Sequence, residues 1–174
     1  MVDLIINRPQ LDALELKLQL LHGGLVNQKL GLAARRAATH ASKIGRQKIR
    51  SIYAISKGDF IGRWVRIRPD GACGAIMTVR GTRQYVGKYK AKQTKKGIFV
   101  SVKKGQGGII ARSFSNNGTF MQRTSPSRFP IKTLRGPAAP QLFENPKVME
   151  EMSRAAIQMY EKRVEHELGR LIGG

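Results

Sequence analysis

Apolar residues recur every three to four positions over the first third of the chain, every two positions through the middle, and every three to four again near the end. Leu11, Leu14, Leu18 and Leu21, behind Pro9 and ahead of Gly23-Gly24, predict an amphipathic helix of about four turns, with proline in its first turn and glycine as its stop. A longer helix is predicted from Leu25 to Tyr53. Successive residues set about 100° apart gather Leu30, Ala34, Ala37, Ala41, Ile44 and Ile52 on one side and Lys29, Arg35, Arg36, Lys43, Arg46 and Arg50 on the other. One face should be buried and the other cationic. Alanine dominates the apolar side, so a sheet or a helix of a neighbouring subunit can approach closely there. Lys48 falls inside the apolar arc and is expected to snorkel near the helix end; otherwise the helix is rotated or kinked near Gly45.

After SKGDF, where Ser56 is a candidate cap, the period becomes two. WVRIRPD and GAIMTVRG alternate on either side of an Asp-Gly turn and predict a hairpin. RQYVGKYKAKQTKKGIFVSVKK predicts a second, with Lys88, Lys90 and Lys92 on one strand face and Tyr85, Tyr89 and Ala91 on the other. Its turn spans Thr94 to Gly97, and Ile98, Val100 and Val102 lie together on the return strand. IIARSF and TFMQR flank SNNG as a third hairpin. PIKTL reads as the last strand, and RGPAAP as a rigid connector, because Pro137 and Pro140 hold the residues before them extended. Asn145 then caps a closing helix with Pro146 in its first position, Glu150 and Glu151 in its early turns, and Gly173-Gly174 at its end.

Helices, then short antiparallel strands, then one helix predict an α+β fold, with the N-terminal helices and the C-terminal helix packed on a mainly antiparallel sheet. We expect a single domain over 1–174: N-terminal helices at 1–55, the sheet with its basic hairpins at 62–135, the Gly/Pro connector at 136–145, and the last helix at 146–172. No apolar run approaches the roughly 18 residues that would span a bilayer. With no basic leader at the N-terminus either, a cytoplasmic product without a membrane partner is expected.

Charge changes this picture. The formal net charge is +21 and the sequence pI about 11.0, which favours polyanions or acidic protein surfaces as partners. Between Asp70 and Glu144 there is no acidic residue, so every charge in the middle of the chain is lysine or arginine. Metal-assisted hydrolysis needs converging carboxylates and a nucleophilic triad needs a histidine; that stretch holds neither, and we expect no enzyme activity, no metal and no cofactor. Cys73 stands alone, and His22, His40 and His166 are not spaced with it as metal ligands. KGQGG lacks the Gly-Lys-Ser/Thr ending of a phosphate loop and leads into a strand, so it reads as a plain mobile loop.

Two groups of cations are candidate contacts. Lys88, Lys90 and Lys92, with Lys95, Lys96, Lys103 and Lys104, form a surface for DNA phosphates or an acidic protein, although lysines of this kind also protect hairpin edges from aggregation. Arg36, Lys43, Arg46 and Arg50 on the long helix are candidate contacts to a neighbouring subunit or partner. Tyr85 and Tyr89 suit a core better than base stacking. Neither a recognition helix nor an aromatic RNA-binding motif is present, so contact with nucleic acid would be non-specific and salt-sensitive.

AKQTKKGIFVSVKKG, GGIIARSFSNNGTFMQR and RFPIKTLRGPAAPQLF occur in that order before the closing helix, and LDALELKLQLL and LAARRAATHASKIGRQKIRSIYAI precede them. Together they resemble the minor tail protein Z family, the tail-completion proteins of lambda-like tailed phages and prophages, over nearly the whole chain. That resemblance implies a non-enzymatic virion protein at the head-proximal end of the tail, assembled in the host bacterial cytoplasm. It also implies a homo-oligomeric, six-fold ring stacked on the tail tube and tail terminator and facing the head-connector proteins, with phage genomic DNA as a non-specific partner. There the protein would serve head-tail joining and the placement of DNA in the upper tail. The alternative from charge alone is a basic, non-specific nucleic-acid-binding protein of ribosome-associated type.

Overall fold

The computed structural model describes residues 2–3, 23–55 and 60–172. The predicted helix from Pro9 to Leu21, the Ser56 cap and the Gly173-Gly174 stop lie outside the described residues. The first elements are β1 (Val2–Asp3), α1 (Gly23–Ile52), α2 (Phe60–Arg63), β2 (Val65–Asp70), β3 (Gly74–Val79) and β4 (Arg83–Tyr85). A 3-10 turn (Val86–Lys88) leads to β5 (Lys90–Thr94), β6 (Gly97–Ser101), β7 (Gly108–Ile110), β8 (Ser113–Asn116) and β9 (Thr119–Arg123). The chain continues through β10 (Ile131–Thr133), β11 (Arg135–Ala138), α3 (Ala139–Phe143) and α4 (Pro146–Ile172). The fold is α+β, as the periodicity predicts.

Helix α1 is clasped between α4 and the β2–β3 hairpin. Leu30, Ala34, Ala37 and Ala41 are buried as predicted, joined by Val26, Ala33, Ala38 and Ile49, while Ile44 and Ile52 are only half-buried. The arc is displaced because two different layers press on the helix. The helices run in opposite directions: Arg36 meets Glu167 at one end and Lys48 meets Glu151 at the other. Lys48 therefore pairs across the helix contact at 3.7 Å, which removes the need for snorkelling toward the helix end. Helix α1 runs unbroken through Gly45. A Cβ at Gly45 would lie 2.3 Å from Met152 Sδ and 3.1 Å from Phe143 Cε1, so glycine provides clearance where α1 meets Met152 of α4 and Phe143 of α3.

The predicted hairpins form, but they do not join into one sheet. Four small sheets are present among the described residues, ordered β1-β3-β2, β5-β6-β7, β10-β9-β8 and β11-β4. The β2–β3 pairing runs in register from Val65↔Val79 to Asp70↔Gly74. At the β8–β9 turn Asn117 and Gly118 both have positive φ, 46° and 76°, as an Asn-Gly hairpin requires. The strand predicted through Lys88 to Lys92 is interrupted: Val86–Lys88 is a 3-10 turn, and this carries the Val86 side chain into a core with Ile98 and Leu134. IIARSF is likewise broken, at Arg112, whose φ is 57°. The break places Ser113 Oγ to accept a hydrogen bond from Ile98 N at 2.7 Å and to donate to the Ile110 carbonyl, which ties β6 to the end of β7.

The expected connector is an element in its own right. Arg135–Ala138 is β11, paired with β4 through an irregular register, so PIKTL is not the last strand. Pro137 is tolerated because β11 pairs on one side only. The following α3 starts with Pro140 in its first turn, and Gln141 Oε1 accepts from Ala138 N at 2.9 Å. It drives Leu142 and Phe143 into the main core, each fully buried and worth about 1.5–3 kcal/mol of burial. Asn145 then caps α4 as predicted: its Oδ1 accepts from Lys147 N at 3.1 Å, and its Nδ2 donates to Tyr53 OH at 3.1 Å, fastening the end of α1 to the start of α4. Tyr89, buried beneath β11, donates to the Pro137 carbonyl at 2.9 Å. Burial, and then the nearby Tyr53 phenol, push its hydroxyl well above the usual tyrosine range. Tyr85, by contrast, is half-exposed, and its hydroxyl donates to the Gly118 carbonyl at 2.8 Å.

Candidate functional site

The lysines of the second hairpin are spread along an edge. In β5, Lys90 and Lys92 alternate outward while Ala91 packs toward the small core of Val86, Ile98 and Leu134. Lys92 pairs with Phe99 across the strands, and its ammonium stands 6.0 Å from the centre of the Phe99 ring. Phe99 in turn pairs with Ile109, which is 49% exposed, so the outer face of this sheet is a cation, an aromatic ring and an aliphatic side chain in a row. Lys95 and Lys96 occupy the hairpin tip. Lys103 and Lys104 stand beyond the opposite end of β6, where Lys104 N donates to the Ile52 carbonyl at the end of α1 at 2.9 Å. Lys88, in the 3-10 turn and half-buried, does not share the strand face expected of it. The adjoining loop of KGQGG is pinned rather than plain: Ser101 Oγ donates to the Gln106 carbonyl at 2.7 Å.

The second group lies on the helical layer. Arg36, Lys43 and Arg46 line a groove of about 560 Å³ between α1 and α4, together with Leu32, Arg35, Thr39, His40, Met159 and Arg163. Leu32, 42% exposed, and Met159 provide apolar surface within it, while cations stand on both walls. Arg50 is exposed in the last turn of α1 and is not part of this groove; there it faces the negative end of the helix dipole. Its neighbourhood is the helix end to which Lys104 is bonded.

One end of the groove is fixed by Glu167, a buried carboxylate on α4. Arg36 reaches it at 3.1 Å and Lys29 at 3.5 Å, and His166 lies 4.0 Å away. Burial acts to raise the Glu167 carboxyl, but Lys29, by charge and hydrogen bond, and then Arg36 and His166 outweigh it and hold the group below its usual range. Arg36 is thereby held in place as part of the groove wall.

Periodicity locates Arg35, Arg36, Lys43 and Arg46 on one helix face but says nothing about Met159 and Arg163, because the opposing wall is set by the pairing of α1 with α4. Leu32 is the local signal: a leucine among cations outside the buried arc. Cys73 sits half-buried in the β2–β3 turn and its Sγ donates to Asn27 Oδ1 at 3.2 Å. Among the described residues, no three metal-ligating side chains come together and no helix is long and apolar enough to cross a membrane. Comparison of the chain with known protein families, with curated proteins and with solved structures gives no match.

Proposed function

We propose that the protein is a non-enzymatic structural component of a phage virion, a tail-completion or neck subunit acting at the head-proximal end of the tail. The observation that carries the reading is the division of its positive charge between two layers: the helical groove on one, and the lysine-edged hairpin on the other. A subunit with two separate cationic surfaces suits a place between two anionic neighbours, such as an acidic face of a connector or terminator protein on one side and the DNA on the other. The ordered resemblance described above supplies the virion setting and the six-fold ring. Helix α1 presents Arg36, Lys43, Arg46 and Arg50 from a rigid two-helix frame, suited to repeated contacts in such a ring.

The test is to tag the chain in an induced lysogen, sediment the particles and locate the tag by electron microscopy. A label at the head-tail junction is the expected outcome. The combined change Lys43→Glu, Arg46→Glu and Arg50→Glu should abolish co-sedimentation while leaving the helical circular-dichroism signal intact; retained assembly of that variant would remove the role given to this face. A second reading, non-specific binding of nucleic acid, is favoured by the row of Lys92, Phe99 and Ile109 on the outer face of β5–β6–β7. Absence of the protein from particles, with RNA or DNA co-purifying at low salt and released as the salt is raised, would establish that reading instead.

A further inference from the structure

We infer that the groove between α1 and α4 is a docking site for an acidic amphipathic helix from a partner protein. Its residues on α1, from Leu32 through Arg35, Arg36, Thr39, His40 and Lys43 to Arg46, follow helical spacing on one side of the helix. At about 1.5 Å per residue this stripe is roughly 21 Å long, the length of a helix of about 14 residues. The lining includes the apolar side chains Leu32 and Met159, and around them stand five cations, Arg35, Arg36, Lys43 and Arg46 from α1 and Arg163 from α4. No carboxylate is among the described lining residues, and Glu167 meets the groove only at the end where Arg36 pairs with it.

The combination selects the occupant. A run of phosphates would meet the guanidinium groups but has nothing to place on the exposed Leu32 side chain. An apolar peptide would cover Leu32 and Met159 while giving the cations beside them, Arg35, Lys43 and Arg163, nothing to pair with. A helix with a leucine-like stripe flanked on both sides by glutamate or aspartate satisfies both requirements, by seating its apolar face in a groove between two existing helices. Arg36 is already oriented by Glu167, so part of the recognition surface exists before the partner arrives. This inference holds whether or not the protein belongs to a virion.

The probe is a fluorescein-labelled helical peptide of about 14 residues, with leucines at helical spacing and glutamates on both flanks, titrated with the full chain by fluorescence anisotropy. A peptide of the same composition in scrambled order and a single-stranded DNA of equal net charge serve as comparators. The patterned peptide should bind saturably and at least roughly tenfold more tightly than the scrambled one. Arg35→Glu with Arg163→Glu should weaken it by a similar factor, as should Leu32→Gln alone, whereas Lys90→Glu with Lys92→Glu on the distant hairpin should leave it unchanged. Equal binding of patterned and scrambled peptides would reduce the groove to a diffuse charge effect and overturn the inference. So would loss of binding on changing the hairpin, or DNA binding that depends on Arg35 and Arg163 more strongly than peptide binding does.

Discussion

Gly45 gives the sharpest test of how α1 and α4 are joined. Substitution by alanine should act in opposite directions depending on residue 152. In the native chain the new Cβ would stand 2.3 Å from Met152 Sδ, 2.7 Å from its Cγ and 3.1 Å from Phe143 Cε1. Carbon atoms in contact prefer about 3.5–4.0 Å, and both Met152 and Phe143 are fully buried, so neither can swing out to solvent. Overpacking of this kind costs about 1–3 kcal/mol. Replacing glycine by alanine inside a helix returns about 1 kcal/mol. Gly45→Ala alone is therefore expected to destabilise the protein by about 1 kcal/mol. Met152→Ala alone should cost about 2–5 kcal/mol through the cavity it opens. In that background the two shortest contacts are gone, and the Phe143 ring, at 3.1 Å, can give by a few tenths of an ångström into the space Met152 leaves. The helix gain then dominates, and adding Gly45→Ala should stabilise by up to about 1 kcal/mol. Urea unfolding of the four proteins, followed by circular dichroism, would give a coupling near 2 kcal/mol between the two sites. The same sign for Gly45→Ala in both backgrounds would refute the close contact.

Asn145→Ala should cost about 1–2 kcal/mol, since one side chain caps α4 and also holds Tyr53; Tyr53→Phe should cost only part of this, and thermal unfolding of both variants would show whether the two roles separate. Glu167 has a lowered folded-state pKa, so its stabilising contribution is complete above the ordinary glutamate range and is lost as the pH falls below that range through the depressed value. The stability gap between the native protein and Glu167→Gln should accordingly shrink on acidification, and a gap that widens instead would contradict the arrangement of Lys29 and Arg36. Tyr89 is the reverse case, with a raised folded-state pKa whose contribution is complete below the ordinary tyrosine value of about 10 and is lost as the pH rises past it. Tyr89→Phe should flatten the alkaline limb of the stability profile, as denaturant titrations at increasing pH would reveal. If the hairpin touches DNA, Lys90→Gln and Lys92→Gln should each lower the slope of log K against log salt by about 1, and unaltered slopes would place the DNA elsewhere.

The local elements were legible because each carries its own chemical signal. Asp70-Gly71 and Asn117-Gly118 mark their hairpins, Asn145-Pro146 marks the start of α4, and the spacing of Leu30, Ala34, Ala37 and Ala41 marks the buried side of α1. What escaped depends on partners distant in the chain. RGPA looks like a connector because prolines discourage strands, yet β4 lies beside it and accepts an edge strand that needs few donors. The 3-10 turn at Val86–Lys88 follows from a buried niche made by Ile98 and Leu134, which no local period records. One wall of the groove was visible as the cationic face of α1. The other, with Met159 and Arg163, exists only once α4 is laid against it.

The union of α1 with α4 also sets a schedule for the protein's synthesis. Arg36 and Glu167 are 131 residues apart in the chain, so at usual ribosomal speeds roughly 7 to 26 seconds separate the appearance of the two. Throughout that interval the seam of α1 has no α4 to cover it. Its composition suits the wait: Ala33, Ala34, Ala37, Ala38 and Ala41 form helix readily and offer a nascent chain little sticky surface. A leucine-rich seam would pack as a stronger interface in the finished molecule, but it would spend the same seconds inviting the wrong neighbours.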